Sequence, residues 1–273
     1  MPQTMARAAN ESVARTGSVK RGRVFGPSGD APRSITPSGD LLRYYEAMSR
    51  ALGPMHWWPA QTPFEVIVGA ILTQSTAWGN VERAIANLRS ARLLTASAMR
   101  RVSTPRLAAL VRPSGYFRQK AKKLKAFVRF LHTGYGGSLK RMFQTPTLEL
   151  REKLLSVHGI GPETADSILL YAGNHPVFVV DAYTHRILGR HGITSGKPDY
   201  EKVRALMESS IPQRAELFNE FHALLVNTGK NWCRKSAPRC EECPLRAMLP
   251  ADSGLSTFGR TTPQADSSSG SHR

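Results

Sequence analysis

Acidic residues are scarce in this chain: 20 Asp and Glu stand against 38 Lys and Arg, leaving a formal charge of +18 over 273 residues. A surface so basic suits a polyanion, most simply nucleic acid. Cysteine is scarce as well. Three thiols exclude a disulfide framework, and the close spacing of Cys233, Cys240 and Cys243 points instead to metal or cluster ligands. Long apolar runs are missing; none approaches the ~20 residues of a membrane span. The N-terminus is polar and lacks the apolar core of a signal peptide. A cytoplasmic, nucleoid-associated protein without membrane contact is expected. Strand patterns are almost absent too: residues 177–180 are apolar, but too few to build a sheet.

What is present is mostly charge and helix. Residues 1–39 are Ser-, Gly-, Pro- and Arg-rich without periodicity, and residues 251–273 end in SSSGSHR; both read as disordered tails. The first tail carries +4 and the second zero, so +14 of the +18 lies on residues 40–250. The excess therefore belongs to the folded part. Asp40 reads as the cap of a first helix ended by Gly53-Pro54. Thr62-Pro63-Phe64-Glu65 forms a capping box, and the helix it opens is apolar nearly all round, hence central. Helices follow from Trp78, from Thr104-Pro105, and from Tyr116 with Ala121, Leu124, Val128 and Leu131 as its stripe. Arg118, Lys122, Lys125 and Arg129 lie off that stripe, either solvated or reaching a phosphate backbone. Thr145-Pro146 opens another helix, and three more follow Asp181. The fold class is all-α, with room for one large domain or two small ones sharing a core.

The most informative stretch is His158-Gly159-Ile160-Gly161-Pro162, a glycine hairpin between two helical patterns. Glycines here relieve the turn and let backbone N–H groups approach a phosphate. Pro162 suits a first helical position. Gly159, Ile160, Gly161, Glu163 and Thr164 are therefore candidate DNA contacts. A single acid, Asp181, follows the second helix and the short apolar run. It is either a helix cap or an acid that works on what the hairpin holds.

With Asp181 included, this stretch resembles the helix-hairpin-helix (HhH-GPD) DNA glycosylases, in particular the endonuclease III branch and its 3-methyladenine-removing members. The likeness extends to Pro63-Phe64-Glu65 with Ile71-Leu72-Thr73-Gln74-Ser75-Thr76, to Gly115-Tyr116 with Lys120-Ala121, and to Cys233, Cys240 and Cys243. It spans about residues 40–248. It implies two helical lobes with a DNA cleft between them: a six-helix barrel over residues 60–172, and a second lobe from residues 40–59 and 173–250. It implies a monomeric base-excision repair enzyme acting on damaged bases in double-stranded DNA. Asp181 would be the catalytic carboxylate that stabilises an oxocarbenium-like sugar, with the target base flipped out of the stack. Gln74 would fill the gap left by that base, or else be a buried helix-end amide, and Lys120 would lie near the DNA.

Three features shape the expectation. Bifunctional relatives carry a lysine two residues after the second glycine; here that position is Glu163, which cannot form a Schiff base. A monofunctional glycosylase follows, with AP lyase activity weak or absent. Trp57, Trp58, Trp78 and Tyr183 are candidates for stacking a base, and aromatic faces favour the positive charge of alkylated purines such as 3-methyladenine. Core packing is the other role open to the tryptophans. Mismatched thymine or uracil, an oxidised pyrimidine with a relocated lyase amine, and a non-catalytic DNA-binding module remain as alternatives. The cysteine spacing matches a 4Fe–4S loop up to its last position, which is Leu249. A substitute ligand such as Asp252, a three-iron form, zinc with His272, and an empty loop all stay open. His158, His185 and His222 read as structural.

Overall fold

The computed structural model describes residues 37–250 except His56, Pro59, Lys197 and Pro198, with backbone alone for residues 37–40. Residues 1–36 and 251–273 of the expected tails lie outside the described residues, whereas residues 37–39, expected in the first tail, belong to a helix. Twelve α-helices occur within them and no strand, which agrees with the all-α reading. No described helix is long and apolar enough to cross a membrane.

Helix α1 (Pro37–Leu52) starts before Asp40, so Asp40 lies inside the helix and does not cap it. Helix α2 (Pro63–Thr73) is the centre of the first apolar core. Every residue from Phe64 to Leu72 is buried. Thr62 accepts from the Glu65 N–H at 3.2 Å, half of the expected capping box. The Glu65 carboxylate turns away to Arg89 at 2.5 Å, because a buried acid needs a charged partner more than a second cap bond. Around α2 pack α3 (Trp78–Ser90), α4 (Ala96–Arg101), α5 (Thr104–Leu110), α6 (Phe117–Tyr135), α7 (Leu139–Phe143) and α8 (Thr147–Leu155). Helices α4 and α7 are too short for a periodic signal. Lys125, expected to be solvated or on a phosphate, instead donates to the carbonyls of Met99 (2.9 Å), Arg100 (2.8 Å) and Val102, closing the C-terminal end of α4.

Helix α9 (Pro162–Ser167) follows the hairpin and runs into a π turn, Ile168–Ala172. Residues 177–180 belong to no helix or strand and are buried. They have no strand partner. The Phe178 N–H goes to Glu208 Oε1 at 2.9 Å and the Val180 N–H to the Tyr200 hydroxyl at 3.4 Å. Helices α10 (Ala182–Arg190), α11 (Tyr200–Ser210) and α12 (Ala215–Asn231) then build a second apolar core with α1.

Buried ion pairs join α8 and α9 to α11. Arg151 makes two bonds to Asp166, Nε–Oδ1 at 2.7 Å and Nη2–Oδ2 at 3.1 Å, and reaches Glu201 Oε1 at 2.6 Å. Tyr200 donates to Asp166 Oδ2 at 2.8 Å. Arg204 bridges Glu201 and Glu208 at 2.9 and 2.7 Å. Asp166→Ala would leave Arg151 buried without its main partner, and should lower unfolding free energy by about 3–5 kcal/mol in a urea titration. Glu149→Ala, which removes the exposed pair with Lys153, should leave the urea midpoint essentially unchanged.

Candidate active site

A cleft of about 510 Å³ opens where the end of α2, the hairpin helix and helices α10 and α12 meet. Its walls are aromatic. The Trp58 ring sits edge-on to Trp78 at 5.2 Å between centroids, tilts against Tyr171 at 5.1 Å, and meets Trp57 at 6.0 Å. Two mid-helix glycines make this possible. A Cβ at Gly69 would stand 3.2 Å from the Trp58 ring, and one at Gly229 would collide with the Tyr183 ring. Arg186 lies over Tyr183 at 5.0 Å, and Lys230 Nζ stands 5.8 Å from the Trp57 ring centre. All four expected aromatics line this one cleft.

Two carboxyl groups face the same space, Asp181 and Glu163. Asp181 caps α10: its Oδ1 accepts from the Thr184 N–H at 2.8 Å and from the Thr184 hydroxyl at 3.0 Å. The cap and cleft-facing roles coincide in one side chain. Glu163 keeps solvent contact at the cleft mouth but has protein on its other sides. That desolvation, and then the Asp181 charge, push its carboxyl up to about 7. Behind Asp181, Tyr171 and His222 share a hydrogen bond through the phenol oxygen and Nδ1. His222 Nε2 lies 3.7 Å from Asp181 Oδ2.

The hairpin is tied to the cleft. Gly159 has φ +83°, and a Cβ there would collide with the Lys123 side chain, so glycine is required twice over. Gly161 sits at φ −97° with nothing within 4 Å of a Cβ position, so the turn itself does not demand glycine there. The Ile160 side chain is buried and its N–H donates to Val157 O at 3.0 Å; this residue anchors the turn and does not offer a free donor. Gln74 Nε2 donates to Gly159 O at 3.0 Å and to Thr164 Oγ1 at 2.9 Å, while Lys123 holds Gln74 Oε1 at 2.5 Å. Gln74 and Thr164 thus brace the hairpin while lining the cleft. Lys120 is a correction. Expected near DNA, it is 2% exposed, with Nζ donating to Leu72 O at 2.8 Å and Ser114 O at 2.5 Å. Its long stem reaches the end of α2, where backbone carbonyls lack helical partners.

Comparisons with known proteins identify the family. Residues 68–213 match the family model described as HhH-GPD superfamily base excision DNA repair protein. The chain belongs to that superfamily. It is 44% identical over 208 residues to a candidate DNA repair glycosylase of Methanocaldococcus jannaschii, covering 76% of this chain and 94% of that protein. It is similar to H. pylori 3-methyladenine DNA glycosylase (MagIII), solved with bound 1,N6-ethenoadenine, at 29% identity and TM-score 0.63, covering 72% of this chain and 98% of that one. An endonuclease III–DNA complex shares the fold at TM-score 0.68 and 21% identity, covering 79% of this chain and 96% of that one. This HhH-GPD protein is accordingly a base-excision repair DNA glycosylase of the endonuclease III family.

The cysteine loop of this HhH-GPD chain does not fit a four-thiolate cluster. Cys233, Cys240 and Cys243 line one small cavity, and Leu249, which lines it with them at the fourth position of the spacing, has no donor atom. Arg190 Nη1 contacts Cys233 Sγ at 3.3 Å and donates to Arg234 O at 2.6 Å, strapping the loop to α10. Burial raises the Cys243 thiol to about 11. Among the described residues no group of three or more His, Cys, Asp or Glu is placed to hold a metal ion. Asp252 and His272, named as substitute ligands, lie outside the described residues.

Sequence reasoning missed Tyr171, His222 and Lys230, all of which line the cleft. His222 was expected to be structural, and His158 is exposed on the hairpin. The unusual placement of Gly69 and Gly229 inside helices was the available signal. Lys120 supplies a pH test. Burial, then the Lys123 charge, lower its pKa from 10.5 to about 8. Between those values the unfolded chain holds a proton that the folded chain releases. Stability relative to Lys120→Met should therefore rise from pH 8 to 10.5 and be flat below 8. Paired urea titrations would read this as a slope of up to about 1.4 kcal/mol per pH unit.

Proposed function

We propose that this glycosylase is monofunctional and removes alkylated purines, such as 3-methyladenine, from duplex DNA. The observation that carries this reading is the pair of carboxyls, Asp181 and Glu163, facing one aromatic-walled cleft. The hairpin backbone at Gly159 and Gly161 grips a phosphate of the damaged strand. The lesion leaves the stack and enters among Trp58, Trp78 and Tyr171. A positively charged alkylated base gains from those ring faces. Trp58 Nε1 is a buried donor without a partner among the described residues, and serves as a hydrogen-bond donor to the base edge.

Such a base departs readily once its glycosidic bond stretches, so little acid assistance is needed. Asp181 stabilises the cationic sugar and takes the proton of the attacking water. Glu163 stands where a lyase amine would be and offers no nucleophile for an imine. The similarity to the H. pylori 3-methyladenine enzyme supports the same lesion class.

A second reading rests on Lys230, whose amine borders the cleft. A relocated amine would attack C1′ and nick the strand. Base release from duplexes bearing alkylated, oxidised, uracil and mismatch lesions, read by mass spectrometry, separates these readings. Alkylated purine should appear with the strand intact until alkali is added. Asp181→Asn should lower turnover by about 10²–10⁴-fold while salt-sensitive DNA binding persists. A borohydride-trapped adduct lost in Lys230→Ala would replace the monofunctional reading with the lyase one.

A further inference from the structure

We infer that His222, set by Tyr171, is a positioning residue that donates through Nε2–H to Asp181 Oδ2 and keeps that carboxylate aimed into the cleft. The inference rests on Asp181 being the catalytic carboxylate, as proposed above.

Three observations converge. The first is the tautomer. Tyr171 and His222 Nδ1 share one hydrogen bond, and Tyr171 is deep enough that burial holds its phenol far above the ordinary range. The hydroxyl therefore keeps its proton and donates to Nδ1. A neutral imidazole that accepts at Nδ1 carries its hydrogen on Nε2. Burial also lowers the His222 pKa, against the pull of Asp181, so the neutral ring is the form present at pH 7.

The second is the unmet donor. His222 Nε2 is buried and has no hydrogen-bond partner among the described residues. Asp181 Oδ2 lies 3.7 Å away, with side-chain exposures of 7% for His222 and 14% for Asp181. Shortening by under 1 Å completes the bond. Buried donors rarely stay unpaired, and sites of this kind tighten when the cleft fills.

The third is the division of the carboxylate. Oδ1 is committed to the Thr184 N–H and hydroxyl. Oδ2 is left for chemistry and faces His222. The ionisable groups lining the cleft with it are Glu163 from α9, Tyr171 from the π turn, His222 and Lys230 from α12, and Tyr183 from its own helix. A neutral donor on Oδ2 would hold the carboxylate in place without adding a full positive charge to the cleft. Trp58 packs on the other side of Tyr171, so the aromatic wall that receives the base also holds the ring that sets the tautomer.

The test uses His222→Leu, His222→Gln and Tyr171→Phe in a Glu163→Gln background, so that the acid limb of kcat against pH does not report Glu163. His222→Leu removes the donor. Its kcat for alkylated-base release should fall about 10- to 100-fold, with DNA Kd unchanged. The acid limb should move up by about one pH unit, since a donor to the charged form is lost. Glutamine places an N–H near the Nε2 position and should recover most of both. Tyr171→Phe keeps the ring against Trp58 but frees the tautomer, and should move the limb in the same direction by less. Tyr171→Phe also keeps the question decidable if His222→Leu does not fold. An unmoved limb in both His222→Leu and Tyr171→Phe, or a folded His222→Gln that rescues neither readout, overturns the inference. Full base release by Asp181→Asn would instead overturn the catalytic assignment itself.

Discussion

The Arg151–Asp166 pair is the joint on which the site depends. Arg151 comes from the helix before the hairpin, Asp166 from the helix after it, and Glu201 and Tyr200 from the start of α11. The same network, through Glu208 and Tyr200, binds the N–H groups of Phe178 and Val180 in the segment that delivers Asp181. The hairpin and the cleft-facing Asp181 are thus set against one another by a single network of polar contacts. Its value is geometric. Burial outweighs the help of Arg151 and Tyr200 and raises the Asp166 pKa, so ionising this acid inside the fold is costly.

On that frame the cleft divides its labour by environment. Asp181 has two donors on one oxygen and a histidine near the other. Glu163 has no such donors and sits beside the Asp181 charge, which leaves it protonated in good part at neutral pH. Two carboxyls of the same intrinsic chemistry thus meet different surroundings within one cleft. The aromatic wall adds faces for a base and is admitted only because Gly69 and Gly229 yield space.

The lysines of α6 show how one residue type serves different ends. Lys120 and Lys125 spend their charge on helix-end carbonyls, and Lys123 holds Gln74 against the hairpin. Within this basic stretch Lys120, Lys123 and Lys125 turn to internal partners, while Arg118, Lys122 and Arg129 stay exposed as a solvated face requires. The +18 charge remains the footprint of a polyanion partner, but these lysines contribute less to it than their number suggests.

Local chemistry made much of this legible in the sequence alone. The all-α class, the all-round apolar α2, the stripe of α6, the glycine hairpin and the acid after it follow from periodicity, capping and backbone freedom. These properties involve neighbours along the chain. The substitution of Glu163 at the lyase position and of Leu249 at the fourth cysteine position was equally plain. The tertiary structure decided what depends on long-range meetings. Tyr171 and His222, 51 residues apart, form one pair. Lys120 finds carbonyls 48 residues away and so leaves the DNA face. Sequence records which donors and acceptors exist, whereas packing decides which of them are brought within hydrogen-bond range. Asp181 was readable as a cap or a cleft acid, and only the fold shows that one side chain caps α10 and also lines the cleft.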